Sequence, residues 1–140
     1  MNKQKVLDKL NNLISKNTLM ETLGIVYTEV GDDYLVAQMP VNSKVHQPDG
    51  VLHGGASVTL AESVGSAASF IFNTQKGYEV RGIEISANHL KSKKDGVVIA
   101  TAKPIHKGRT TQLWEIRITD EGDNLISLCK LTTIVMPKNR

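Results

Sequence analysis

Apolar positions first recur at helical spacing, where Val6, Leu10, Leu13 and Ile14 mark one side of a short amphipathic helix. The period then changes. GIVYTEV (residues 24–30) and YLVAQMPV (34–41) flank a Gly-Asp-Asp turn and predict a pair of strands. A loop carrying Pro48, Asp49 and Gly50 leads into a long run of small and apolar residues, Gly54 to Phe72, whose only formal charge is Glu62. That run predicts one long helix. Four strand-like runs follow, at 79–90, 97–106, 110–119 and 124–136, separated by Asp95-Gly96, Lys107-Gly108 and Glu121-Gly122. In the first of them Ile83, Ile85, Ala87 and His89 share a face, and in the third Trp114, Ile116 and Ile118 do so. The order predicts an α+β architecture, a mainly antiparallel sheet packed on one dominant helix, and not an alternating βαβ fold.

Length allows one domain, residues 1–140, with a core large enough to bury about two-thirds of the surface of the unfolded chain. Aromatic residues are only 4%, so Val, Ile, Leu and Ala must build that core. A net charge of +3 suits an anionic ligand better than a nucleic-acid surface, which needs a denser basic stripe. The single cysteine, Cys129, excludes an intrachain disulfide, fits a reducing cytoplasm and is expected to pack in the core. The N-terminus lacks the apolar block of a signal peptide. The 54–72 run approaches the length of a membrane span, but Glu62, three glycines and five hydroxyl side chains argue against one. Neither a membrane partner nor a metal site is expected.

Glu62 lies eight residues after Gly54, about 12 Å along a helix axis, and Ser66 is one turn further on the same face. Glycines at a helix start admit a ligand close to unpaired N–H groups at the positive end of the dipole, a place suited to a carbonyl oxygen gaining negative charge. If carboxylate and helix start act on the same carbon, one helix cannot supply both; two antiparallel helices related by a two-fold axis can. The alternative is structural: Glu62 reaches solvent or an ion-pair partner, His53 caps or packs, and the glycines serve close packing.

The stretch QPDGVLHGGASVTLAESVGSAAS resembles the hotdog-fold acyl-CoA thioesterases, in the branch holding phenylacetate-pathway and other aryl-CoA thioesterases and 1,4-dihydroxy-2-naphthoyl-CoA hydrolase. The similarity continues through GIEISANHLKS, KPIHKG and LTTIVM, with Met136 standing where some relatives carry a basic residue. It implies a curved antiparallel sheet wrapped around one long helix, a homodimer with shared sites, and assembly into a homotetramer. It places the catalytic carboxylate on Glu62 and the carbonyl-polarising groups on Gln47 and the Gly54 N–H. His53 and Ser66 would shape the site and help to place water. It assigns coenzyme A contacts to Gly82, His89, Lys91, Ser92 and the segment His106, Lys107, Gly108, Arg109 and Thr110. Lysine clusters at 91–94 and near 103–109 would form a rim for its phosphates. The implied reaction is hydrolysis of an aromatic or bulky acyl-CoA to free acid and CoA, without a separate cofactor. Glu62 would serve as nucleophile or as general base. A 1,4-dihydroxy-2-naphthoyl substrate would place the enzyme in menaquinone biosynthesis; phenylacetyl, benzoyl-type and medium-chain fatty acyl groups are the other candidates. Val64, Ala68 and Phe72 are candidates for setting pocket depth. The competing functions are a non-catalytic acyl-CoA or acyl-carrier binding module and a hotdog enoyl-CoA hydratase or dehydratase.

Overall fold

The computed structural model describes residues 1–138. Its elements follow the sequence pattern: α1 (Lys3–Lys9), α2 (Leu19–Leu23), β1 (Val26–Val30), β2 (Leu35–Pro40), α3 (Gly54–Ile71), β3 (Tyr78–His89), β4 (Val97–Lys107), β5 (Thr111–Thr119) and β6 (Leu125–Pro137). The six strands form one fully antiparallel sheet in the order β1-β2-β4-β5-β6-β3. Helix α3 packs against β2, β3, β4, β5 and β6, so the sheet wraps around it. The short helix α2 has no counterpart in the sequence reading; it ends on Gly24, left-handed at φ 74°, where the backbone turns into β1.

One face of α3 repeats small or branched residues at three- and four-residue spacing: Ser57, Leu60, Ala61, Val64, Gly65, Ala68 and Ser69, all buried. Gly65 permits the closest approach. A Cβ there would stand 2.7 Å from Leu131 Cδ2 and 3.3 Å from Ile116 Cδ1. At the far end of this interface Gln112 Oε1 accepts from Ser69 Oγ (2.9 Å) and from the Trp114 indole N–H (3.1 Å), while Ser69 Oγ and Thr133 Oγ1 lie 3.0 Å apart. These polar groups are buried but paired, and so tie α3 to β5 and β6 in one register. Trp114, Ile116 and Ile118 all face this core. Cys129 packs there as expected, and burial pushes its thiol up to about 11.

Three sequence expectations need correction. Ile83 is 57% exposed and leaves the face shared by Ile85 and Ala87, because a bulge between Gly82 and Glu84 inserts it as an unpaired residue opposite β6. Leu13 is 68% exposed: α1 continues into a π-turn over Leu10–Ile14, with Ser15 N–H bonded to Leu10 C=O. Across that wider turn Leu10 stays in the core, Ile14 is part-exposed along the cavities beside α3, and Leu13 points outward. Val64 and Ala68 are fully buried against the sheet, and Phe72 stacks on Trp114 with ring centroids 6.3 Å apart. None of the three faces a ligand cavity beside Glu62.

The two edges of the sheet are treated differently. On β1, the Asn11 side chain both donates to Tyr27 C=O and accepts from Tyr27 N–H, each at 2.8 Å, so an amide stands in for a neighbouring strand. On β3, twelve residues long, the edge away from β6 has no strand partner among the described residues.

Candidate active site

The loop before α3 is folded by its own hydrogen bonds. Gln47 N–H donates to Val51 C=O (2.8 Å) and Gly50 N–H to Gln47 C=O (2.9 Å), while the Gln47 side-chain oxygen accepts from Asp49 N–H (2.5 Å). With the oxygen so used, the Gln47 amide NH₂ is the end left to donate. His53 is the N-cap of α3: its Nδ1 accepts from Gly55 N–H at 2.8 Å. Cap and helix together satisfy Gly55, Ala56 and Ser57, whereas the Gly54 N–H has no partner among the described residues.

The ring of His89 closes this helix start from the side. A Cβ on Gly54 would meet His89 Nε2 at 2.7 Å, and the other ring nitrogen, Nδ1, lies 2.7 Å from the hydroxyl of Ser127. Gln47, Gly54, His89, Lys91 and Ser92 thus share a cavity of about 320 Å³ with the buried Ser127 at its wall. Ser127 was not visible as a candidate; only its position opposite His89 in the β3–β6 register reveals it.

Glu62 and Ser66 project from the flank of α3 beside the edge strand β3, and Glu62 is exposed in the single chain. They open on a second cavity, of about 570 Å³ and largely apolar, between α3 and the N-terminal helices. Gly82 lies against the carboxylate: a Cβ there would come within 3.1 Å of Glu62 Oε2 and 3.6 Å of Ser66 Oγ. The bulged strand β3 therefore sits over Glu62, and a side chain at position 82 would crowd it. The single chain keeps this carboxylate and the helix start in different cavities, as the axial separation of about 12 Å requires.

The remaining candidates divide between the ends of α3. Lys91 and Ser92 are at its N-terminal end, whereas Lys107, Gly108 and Arg109 line a cavity of about 310 Å³ beside Phe72, Asn73 and Gln75 at its C-terminal end. His106 packs beside Gly108, and Thr110 holds the β6 backbone by accepting from Val135 N–H (2.8 Å). Along an 18-residue helix the two groups are about 27 Å apart, so one chain does not bring them together. Two lysines of the expected rim have partners within the chain. Lys93 is bonded to Glu121, which raises the lysine's pKa and holds the carboxyl down at about 2, and Lys107 Nζ lies 5.7 Å over the Phe72 ring.

Residues 49–127 match the family model of the thioesterase superfamily. The chain belongs to that superfamily. A Vibrio cholerae protein described as an esterase is 48% identical over 89% of this chain and 82% of its own. A Pseudomonas aeruginosa thioesterase, crystallised with one glutamine replaced by alanine, is 44% identical, covers 94% of each chain and superposes with a TM-score of 0.90. A Staphylococcus aureus thioesterase is 39% identical over 85% of this chain and 98% of its own, with a TM-score of 0.81. It was crystallised as two variants, one with a glutamine and one with a glutamate changed to alanine, fifteen positions apart. With the hotdog architecture and the superfamily both established, this protein is a thioester hydrolase. Among the described residues no helix is long and apolar enough to cross a membrane.

Proposed function

We propose that this protein hydrolyses acyl-CoA thioesters in two sites shared across a homodimer. The observation that carries the reading is the division of one helix into two half-sites: an unpaired Gly54 N–H with the Gln47 amide at its start, and the Glu62 carboxylate two turns on, facing another cavity. A second copy supplies what each half lacks. Pairing the open β3 edges about a two-fold axis would extend the sheet and set the two α3 helices antiparallel. Capping by Asn11 makes β1 the less suitable edge. The same rotation would bring residues 106–110 of one subunit toward Lys91 and Ser92 of the other, giving the CoA phosphates cations from both. The glutamine and glutamate replaced in the Staphylococcus aureus thioesterase have the residue types and separation of Gln47 and Glu62, which favours the assignment.

In the reaction, the Gly54 N–H and the Gln47 NH₂ of one subunit hold the thioester oxygen as it becomes an oxyanion. Along one route Glu62 of the partner subunit takes a proton from water as the water oxygen bonds to the carbonyl carbon. Along the other the carboxylate itself attacks, forming an anhydride that water then cleaves. Both break the C–S bond, consume one water and release the acid and CoA thiol.

Thiol release from a thioester panel tests the proposal. Wild-type protein should turn over at least one acyl-CoA, with Glu62→Ala and Gln47→Ala each lower by about 100-fold or more. Mixing the two inactive variants should restore activity to about a quarter of wild type if subunits exchange at random, since half the dimers then hold one intact site. Full activity in Glu62→Ala would refute the carboxylate's role, and an inactive mixture with demonstrated subunit exchange would refute the shared site.

A further inference from the structure

Resting on the assignment of Glu62, the substituent on the thioester carbonyl must lie beside that carboxylate, in the 570 Å³ cavity. Its depth is apolar: Leu10, Ile14 and Met20 come from the N-terminal segment, and Ala67 and Phe70 from α3. The hydroxyl hydrogens present are already committed. Tyr27 OH donates to Ser63 C=O (3.2 Å), and Ser63 Oγ donates to Thr59 C=O (2.7 Å). Glu62 and Ser66 remain, beside the reacting carbonyl. A hydroxyl carried deep into this space could donate only to the already bonded Tyr27 and Ser63 oxygens and would find no free donor for its own oxygen, so it would be solvated less fully than in water.

A smaller cavity of about 260 Å³ lies beyond, bounded by Val6, Lys9 and Ile71, and it shares Leu10, Ile14 and Phe70 with the first. Those three side chains therefore form the partition between the two spaces. Leu10 is fixed in the core at 2% exposed, but Ile14 is 36% and Phe70 49% exposed, so the partition is made partly of side chains that no core packing holds. The π-turn places Leu10 and Ile14 together on this wall. We propose that the cavity takes a hydrocarbon acyl group without polar substituents, and that Ile14 and Phe70 set the length it admits.

The test measures kcat/KM for saturated acyl-CoAs from four to sixteen carbons and for 2-naphthoyl-CoA against 1,4-dihydroxy-2-naphthoyl-CoA. In wild type, kcat/KM should rise about fourfold per methylene until the partition is reached and then fall. Two ring hydroxyls should raise KM by about tenfold or more. Phe70→Ala should join the cavities, raising the ratio of kcat/KM for the longer over the shorter of two chains that straddle the wild-type optimum by about tenfold, while Ile14→Trp should move the optimum shorter. Both positions are partly exposed, so the fold should survive, with thermal unfolding as the check. An equal or better KM for the dihydroxy ring, or length profiles unchanged in both folded variants, would overturn the inference. Absence of turnover of any thioester by wild type, or full activity in Glu62→Ala, would instead overturn the function on which it rests.

Discussion

Replacing Gly54 by alanine separates the two reasons for a glycine at a helix start. Alanine is the better helix former by up to about 1 kcal/mol, and Gly54 has no left-handed φ that would resist it. The backbone N–H is also retained. The new Cβ would, however, stand 2.7 Å from His89 Nε2 and 2.9 Å from Cδ2. To restore ordinary contact the ring must retreat by roughly 0.7 Å or more, and its Nδ1 is held 2.7 Å from Ser127 Oγ. Loss of that hydrogen bond costs about 1 kcal/mol, which nearly cancels the helix gain. Gly54→Ala should thus unfold within a few degrees of wild type yet lose about 10- to 100-fold in kcat/KM, because a group at the proposed reacting centre would shift. In a His89→Ala background the three nearest contacts of the new Cβ are gone, and the same substitution should stabilise by up to about 1 kcal/mol. Thermal or urea unfolding of the four proteins gives the coupling energy directly, expected at about 1 kcal/mol. Additive effects would refute the claim that Gly54 is small to make room for His89.

Gly65→Ala, at the other packed glycine of the same helix, should behave differently: its Cβ would strike Leu131 and Ile116, both fully buried, so overpacking outweighs helix propensity and urea unfolding should show a loss of about 1–2 kcal/mol. The Glu121 clamp should be visible as a pH dependence. Its carboxylate accepts from Lys93 Nζ and from Val97 N–H, and its pKa is lowered from about 4.5 to about 2. The stabilisation is present above about pH 4.5 and is lost as the pH falls through about 2, so the difference in Tm between wild type and Glu121→Gln should be constant near neutrality and vanish in strong acid.

The strands were legible because their apolar and polar positions alternate, α3 because its small and apolar run is long and carries one charge, and the separation of Gly54 and Glu62 because a helix has a fixed rise. What escaped was local geometry that periodicity cannot encode. A bulge at Gly82 moves Ile83 out of register, and a π-turn turns Leu13 outward, yet neither leaves a mark in the alternation of residue types. The choice of Val64, Ala68 and Phe72 as pocket residues failed for a related reason. Helix α3 is small or apolar nearly all round, so sequence does not say which face the sheet takes; the packing of Gly65 against Leu131 does. Ser127 and Asn11 are ordinary polar residues until register and proximity give each a partner.

Those same facts explain how a carboxylate stands in so apolar a helix. The sheet occupies the face that carries Ala61, Val64, Gly65 and Ala68, and Glu62 lies on the flank beside the edge strand β3, exposed in the single chain. No buried charge has to be stabilised while one subunit folds. In the dimer proposed here, the partner's Gly54 and Gln47 would cover the carboxylate, so its desolvation would accompany assembly and be met by donors arriving in the same step. A helix start with an unpaired N–H, a carboxylate two turns along beside the edge strand, and an uncapped edge strand are each incomplete in an isolated chain. The single two-fold rotation of the proposed dimer would complete all three at once, which is the physical reason for assigning them to one site.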